Sequence, residues 1–353
     1  MALTKNNFYQ KKEVKEEEVK KPKKLKVVGV HWHTAHQHEL AKLPFFECYD
    51  FIINPYRKWA DTYRPYPKNS KEIPFYTPGK YDLAILHVDQ QTIFEAERGN
   101  SVKKGRLYKE LNETIQDIPK IVINHMTPFH DKYSTDRTVD IIKELVGDNH
   151  MIVNSHEAKK QWGWGHTIIH GMDIEEWVDL PKEPRCIVSL SKGGMEKAYR
   201  RTFLRAVIDR LEELNVPIVW IGNDRKFSNF EDYRDFIGSS LVYLHPAWQS
   251  PMPRARTEAM LSGACIVTTP YQDADTFIED GVNGFLTSKV RITDPRVMDN
   301  PEYTANLIKR LVVDEPELAI KIGQAGKKTA QKLFCKENFT RQWKEYLTEI
   351  GVL

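Results

Sequence analysis

The sequence predicts an α/β protein built from two doubly wound domains. Short apolar segments alternate with helix-forming segments on both sides of a connector that contains Pro181 and Pro184, and this alternation is typical of parallel sheets covered by helices. The chain has 353 residues, which is long for one hydrophobic core. We therefore predict a charged tail over 1–24, a first domain over 25–178, a second domain over 179–335 and a final helix over 336–353.

The first domain is predicted to open with a strand over 25–31, followed by a helix that Thr34 can cap. The other apolar segments of this half are short enough for strands, and two periodic segments favour helices. The further strands are expected at 51–54, 81–87, 120–124, 151–154 and 167–169, and the helices at 106–115 and 138–146.

The second domain is predicted from the same pattern. A periodic segment over 199–214 favours a long helix, and 254–262 favours a shorter one that ends at Gly263, where a C-cap glycine belongs. The strands are expected at 186–191, 217–222, 240–245 and 265–268, and residues 301–353 are predicted to be helical.

Composition limits the classes of protein to which the chain can belong. The net charge is +3, but residues 1–24 hold eight Lys and four Glu and carry +4, so the remainder carries −1. The tail is interpreted as a solvated extension, with contact to an anionic membrane surface or to nucleic acid as the alternative. No run of about 18 apolar residues and no apolar leader is found, so we expect a cytoplasmic protein, in one alternative peripheral to the inner face of the membrane. Four scattered cysteines favour free thiols over a metal site; they are Cys48, Cys186, Cys265 and Cys335.

The stretch from 245 to 286 carries the strongest functional signal. It predicts a strand, a proline-bounded loop and a helix, which places the loop and the first helical turn at the ligand-binding edge of an α/β sheet. Arg254 and Arg256, with free backbone N–H groups, suit a phosphorylated ligand. Glu258 can accept hydrogen bonds from sugar hydroxyls, so the combination suggests a nucleotide sugar. The predicted donor loop consists of Ser250, Pro251, Met252 and Pro253.

Glu258-Ala259-Met260 and Gly263 resemble the second half of the donor-site motif of retaining glycosyltransferases of family 4, which have the GT-B fold. The resemblance implies two Rossmann-like domains that face each other across a cleft, with a last helix crossing back onto the first domain. It also implies that Glu258 holds the ribose of the donor. The family has a further acid eight positions earlier, where this chain has Ser250, so the motif does not specify the donor sugar.

The same resemblance assigns further residues to the donor. Lys197 would stabilise the departing diphosphate, with Lys192 and Gly193 in the same glycine-containing loop. Gly222 and Asn223 would lie near the base or the ribose. Because protein cations can neutralise a diphosphate, we expect that the protein requires no metal and no cofactor. The expected substrate is a UDP-sugar.

In the first domain, histidines and one loop are the candidates for the acceptor side. His125 follows a predicted strand and resembles the family's histidine beside the reacting centre, where a neutral imidazole can hydrogen-bond to a sugar. His33, His36 and His87 are predicted to line the same cleft; the histidines between 31 and 38 lack metal-ligand spacing.

The long loop over 55–80 combines cations with aromatic rings. Arg57 and Trp59 lie in it, and loops of this length inside a domain are usually functional. We therefore expect both residues to contact the acceptor, since sugars and bases stack on aromatic rings and arginine binds phosphate.

The sequence thus favours a retaining glycosyltransferase that moves a hexose to a hydroxyl of a glycan or lipid-linked glycan. Transfer to hydroxylated bases of modified DNA is one alternative. A GT-B epimerase or hydrolase, or a catalytically silent sugar-nucleotide-binding protein, is the other.

Overall fold

The computed structural model describes residues 23–93, 103–130, 133–189, 201–246, 250–288 and 300–353. Within these residues the chain forms two parallel sheets, one of seven strands and one of five. Each sheet has its own hydrophobic core beneath the covering helices. This is the α/β architecture that the sequence predicts, with one doubly wound unit on either side of the proline-containing connector.

The first sheet has the strand order β3-β2-β1-β4-β5-β6-β7. All six residues of its central strand β4 are buried, as expected for a parallel strand that has helices on both faces. Its strands are β1 Leu25–Val30, β2 Phe46–Ile52, β3 Glu72–Ile73, β4 Leu83–Val88, β5 Lys120–Asn124, β6 His150–Val153 and β7 His166–Thr167. Its helices are α1 Thr34–Ala41, α2 Lys104–Thr114, α3 Thr135–Val146 and α4 His156–Trp162.

The second sheet has the order β12-β11-β10-β8-β9. Its strands are β8 Glu183–Val188, β9 Ile218–Trp220, β10 Ser240–His245, β11 Cys265–Thr268 and β12 Phe285–Leu286. Its helices are α5 Arg201–Glu213, α6 Phe230–Gly238, α7 Arg254–Leu261, α8 Ala274–Phe277, α9 Pro301–Lys309 and α10 Pro316–Leu333, with a π-helical turn over Arg310–Asp314. Gly263, at φ +74°, follows α7 as predicted, because this left-handed backbone favours glycine.

The last helix, α11 Lys336–Glu349, returns to the first domain. Phe339, Trp343 and Tyr346 are buried in the same cluster as residues of β1, β2, β4 and β5. The segment after β7 approaches α11 closely at Gly171, where an added Cβ would collide with the Phe339 side chain. The crossing of the final helix is therefore confirmed.

Three local predictions differ from the structure. The N-cap of α1 is His33, not Thr34, whose hydroxyl instead accepts a hydrogen bond from the Ala60 N–H. The second strand begins at Phe46 rather than at 51, since Glu47 and Asp50 interrupt its apolar pattern. The short helices α4 and α6 were not predicted. Among the described residues, no helix is both long and apolar enough to cross a bilayer.

Candidate active site

A cavity of about 370 Å³ lies between the two domains. Its wall combines histidines, two arginines, small residues and the loop before α7. The lining residues are His33, Thr34, Ala35, His36, Arg57, Ala60, Tyr63, His125, Asn154, His170, Ser250, Pro251, Met252, Pro253 and Arg254.

The topology of both sheets places these residues together. His33 follows β1, His125 follows β5 and Asn154 follows β6, while the segment 250–254 follows β10. Each residue therefore lies beyond the carboxyl end of a parallel strand, where open α/β sheets bind their ligands. The sequence-predicted donor loop and the predicted acceptor histidines meet at this one cavity.

Three side chains form a hydrogen-bonded chain that starts in the cavity wall and ends behind it. The Asn154 amide nitrogen lies 3.3 Å from His125 Nδ1, and His125 Nε2 lies 2.9 Å from His87 Nδ1. The His33 ring packs against His125, with 3.9 Å between the ring centroids. Both ring nitrogens of His125 therefore contact protein groups, and a substrate hydroxyl would have to replace Asn154 to reach Nδ1.

Burial keeps the cavity histidines neutral. It lowers the pKa of His33, His36, His87, His125 and His170 well below the ordinary value, and neighbouring cations lower it further. Neutral imidazoles offer one donor and one acceptor each. They suit uncharged hydroxyl groups better than they suit anions.

Positive charge enters the cavity from both domains. Arg254 is anchored by one hydrogen bond, from Nη1 to the Gly171 carbonyl at 3.3 Å, and its Nη2 is buried without a partner. Burial lowers the pKa of Arg254 to about 10, so the side chain stays charged at neutral pH. The Arg57 guanidinium has no hydrogen-bond or ion-pair partner within the part of the chain that is described. None of the described lining residues is a carboxylate.

Asp89, the acid that acts on Arg57, already has partners. It accepts a hydrogen bond from Trp32 Nε1 at 3.0 Å and forms a short ion pair with Lys104. Burial opposes ionisation, but Lys104 above all lowers the pKa of Asp89 below its ordinary value. Neither cavity arginine forms an ion pair with a carboxylate of the described residues, so both can bind an anionic ligand.

Glu258 lies outside the cavity lining, in a buried contact between the domains. Its Oε1 accepts a hydrogen bond from Arg64 Nη2 at 2.5 Å, and its Oε2 accepts one from the Tyr233 hydroxyl, also at 2.5 Å. The two charged side chains are 0% and 4% exposed. The carboxylate that the sequence assigns to ribose is thus occupied by protein groups on both oxygens.

Several other predicted residues lie away from the cavity. Trp59 is buried in the first core and donates to the Arg64 carbonyl, so it supports the loop instead of facing an acceptor. Arg256 points into the second domain, within reach of Thr268 Oγ1 and Met252 Sδ and over the Phe277 ring. Its position two residues after Arg254 turns it to the other side of α7.

The remaining predicted residues are placed as follows. His87 lies one layer behind the lining, against His125. Gly222 and Asn223 form an exposed turn after β9, in which Gly222 has φ +83°. The positive φ favours glycine in this turn. Close packing does not require it, since an added Cβ would meet open space. Lys192, Gly193 and Lys197 lie outside the described residues.

The sequence analysis did not identify Arg64 and Tyr233. Arg64 was part of a cationic and aromatic loop with no sign of which cation would be buried. Tyr233 lies on α6, which was not predicted. One available signal was the apolar spacing of Phe230, Tyr233 and Ile237, which is that of a helix face.

His38, Glu39 and Glu176 bring their ligand atoms within 4.8 Å of one another, as a metal site would require. The Lys42 ammonium group supplies the positive charge that a metal ion would bring, with its Nζ 2.6 Å from Glu176 Oε1 and 3.3 Å from Glu39 Oε2. Burial opposes ionisation, but the hydrogen bonds from His38 and Lys42 lower the pKa of Glu176 to about 2. This group therefore fits an internal ion pair better than a metal.

Comparisons with known proteins agree with this architecture. The structure is similar to Anabaena HepE, solved in complex with UDP and glucose, with a TM-score of 0.63 and 15% identity over 92% of this chain and 100% of that one. It is also similar to sucrose-phosphate synthase from Thermosynechococcus elongatus, with a TM-score of 0.60, 13% identity, and coverage of 92% and 98%. The chain therefore has the fold of GT-B glycosyltransferases.

Sequence comparison reaches only part of the chain. An uncharacterised glycosyltransferase from Methanocaldococcus jannaschii is 27% identical over 177 residues, which are 50% of this chain and 39% of that protein. This chain thus matches about two fifths of the length of that relative. No protein-family model matches the sequence.

Proposed function

We propose that the protein is a retaining glycosyltransferase that transfers a sugar from a UDP-sugar to the hydroxyl of a glycan or lipid-linked glycan. The observation that carries the proposal is the interdomain cavity, which lies beyond the carboxyl ends of both sheets in a GT-B fold. It combines Arg57 and Arg254 with neutral histidines and has no carboxylate among its described lining residues. Cations suit a diphosphate, and neutral imidazoles suit the hydroxyls of two sugars.

We assign the donor to the second domain. The segment from Ser250 to Arg254 would hold the sugar and the diphosphate, and Lys197 with its loop would complete the phosphate site. Fixed positive charge close to the leaving oxygens stabilises the charge that develops as the glycosidic bond breaks. HepE is described in complexes with UDP and UDP-glucose, which supports UDP as the first nucleotide to test.

The acceptor is placed against the first domain. Its hydroxyl would approach between His33, His36 and His125, on the face of the sugar that the diphosphate leaves. No carboxylate among the described lining residues is available as a nucleophile. We therefore propose direct transfer with retention, in which a leaving phosphate oxygen takes the proton of the acceptor and no metal takes part.

Thermal unfolding with UDP, UDP-glucose and the matching GDP- and ADP-sugars tests the donor class. A ligand at 100 times its Kd stabilises the folded state by about 2.7 kcal/mol. With a UDP-sugar as the donor, the UDP compounds should raise the melting temperature more than the GDP- and ADP-sugars do. The absence of stabilisation by every nucleotide would refute the donor proposal.

A second assay measures the release of UDP with and without a glycan acceptor. Release that depends on the acceptor, with an α-linked product from an α-linked donor, supports retaining transfer. Equal release without an acceptor indicates a hydrolase, and an inverted product refutes retention.

A further inference from the structure

Arg64 is fully buried in the contact between the domains. Its guanidinium lies 4.8 Å from the centre of the Trp177 ring and 5.4 Å from that of Phe230. It donates to Glu258, and its carbonyl accepts from Trp59 Nε1 at 2.8 Å. A segment of the first domain thus inserts a charged side chain into an aromatic pocket of the second domain and its connector.

The pocket holds Arg64 by charge as well as by shape. Burial works against the charged form, yet Glu258 and Glu39 keep the pKa of Arg64 above its ordinary value. Burial and the neighbouring Glu258 raise the pKa of Tyr233 well above its ordinary value, so its hydroxyl stays protonated and donates. The Glu258 carboxylate therefore has a cation on one oxygen and a hydroxyl on the other.

The same segment forms a wall of the cavity. Arg57, Ala60 and Tyr63 line the cavity a few residues before Arg64. The Tyr63 ring packs edge-on against Tyr233, with 5.2 Å between the ring centroids. A displacement of the Arg64 backbone away from Glu258 would therefore also move the acceptor-side wall.

We propose that Arg64 is an internal ligand of Glu258 that competes with the nucleotide donor. This inference rests on the proposed function, together with the assignment of the donor ribose to Glu258 that the sequence resemblance implies; a ribose hydroxyl would then donate to the carboxylate. The carboxylate is 4% exposed, so ribose can reach it only when one of its two partners leaves. Tyr233 lies in the same domain as Glu258, whereas Arg64 comes from the other domain, so Arg64 is the partner that domain opening would remove. Donor binding then frees the segment 57–64 and reshapes the wall that meets the acceptor, so the donor binds before the acceptor.

Titration calorimetry with UDP tests the competition. Arg64→Met keeps an apolar stem between Trp177 and Phe230 but removes the guanidinium. Because the apparent affinity of a site is reduced by the fraction of molecules in which it is blocked, we expect this variant to bind UDP about tenfold more tightly. Glu258→Gln should weaken UDP binding, both alone and combined with Arg64→Met.

Asp273→Asn is the matched control. Asp273 also joins the two domains, through the His156 and Glu157 N–H groups, but it does not contact Glu258. Asp273→Asn should leave the UDP affinity within about twofold of the parent value, because a looser contact between the domains does not by itself remove Arg64 from Glu258. An equal gain in this variant would show that general opening, and not Arg64, controls binding.

The remaining outcomes separate the inference from the proposed function. A folded Arg64→Met protein that binds UDP no more tightly than the parent overturns the competition while leaving the glycosyltransferase proposal in place. If the parent and all variants fail to bind UDP and UDP-glucose, the proposed function itself fails. Should Arg64→Met not fold, Arg64→Lys, which keeps the charge but cannot reach as far, must still show a gain in UDP affinity.

Discussion

The cavity and the Arg64–Glu258 contact are two buried polar regions between the same domains, and they differ in the space and the charge around their polar atoms. In the cavity, Arg254 Nη2, His36 Nε2 and Asn154 Oδ1 are buried without partners in the described structure. At the contact, both Glu258 oxygens are hydrogen-bonded, and the buried atoms without partners, such as Arg64 Nε, lie in a closed aromatic pocket rather than along an open cavity. Since a buried polar group without a partner is costly, the unpaired set indicates a place where a ligand supplies the missing bonds.

The two regions also differ in charge balance. Arg64 faces Glu258 and, at 4.0 Å, Glu39, so its charge is compensated within the protein. Arg57 and Arg254 face no carboxylate in the described lining. The compensated region holds the domains together, whereas the uncompensated region attracts an anion such as a diphosphate.

Removing one partner of the compensated pair should have the largest effect. Breaking a buried ion pair by removing one partner typically costs about 3–5 kcal/mol, because the other charge stays buried. We therefore expect Arg64→Met to lower the free energy of unfolding in urea by about this amount. The double variant Arg64→Met/Glu258→Gln should recover part of the loss, whereas strictly additive losses would show that the two side chains are not coupled.

Removing the centre of the histidine cluster should affect turnover more than binding. His125→Ala removes the ring that orders Asn154, His87 and His33, and loss of a positioned catalytic-site group costs about 100-fold or more in rate. We expect a 100-fold lower kcat for UDP-sugar turnover with UDP affinity unchanged within about twofold.

His166→Ala is the control for this experiment, because His166 lies on β7 outside the cavity lining and stacks on Tyr346. It should leave kcat near that of the parent. A parallel fall in kcat and in UDP affinity for His125→Ala would instead indicate collapse of the whole cavity.

Acidification should destabilise the protein through the same cluster. Its histidines have a lowered pKa when folded, while in the unfolded chain they take up a proton near pH 6.5. Below that pH the unfolded state binds more protons, so stability falls by up to about 1.4 kcal/mol per pH unit for each such histidine.

Urea unfolding at pH 7.5, 6.5 and 5.5 measures this slope. His36→Gln removes one of the titrating groups and should make the decline below pH 6.5 shallower. An identical slope in that variant would show that other groups cause the loss.

Much of the fold could be predicted because burial on both sides of a parallel sheet leaves a clear trace in the sequence. The apolar runs at β5, β10 and β11 coincide with the predicted strands. The helix α4 was missed because it is short and its apolar face, Ala158 with Trp162, is narrow. The helix α6 was missed although Phe230, Tyr233 and Ile237 have the spacing of a helix face.

The candidate site was predictable to the extent that its residues follow strands. His33, His125 and the loop 250–254 lie at strand ends, and the structure brings them together. The partner of Glu258 was not predictable, since Arg64 is 194 residues away in the chain and lies among other cations of the same loop. A contact between domains leaves no periodic pattern.

The smallest expected effect concerns a second, milder contact between the domains. Asp273 accepts hydrogen bonds from the N–H groups of His156 and Glu157, at 2.7 and 2.9 Å, at the start of α4. Ser155, in the same domain as α4, accepts one from Ala158 at 3.0 Å.

Loss of an N-cap acceptor costs about 1 kcal/mol, so Asp273→Ala and Ser155→Ala should lower the melting temperature by similar amounts. Only the Asp273 variant removes a bond between the domains, so only this variant should broaden the calorimetric transition or split it in two. Equal broadening in both variants would show that α4 itself, and not its link to the second domain, sets the cooperativity.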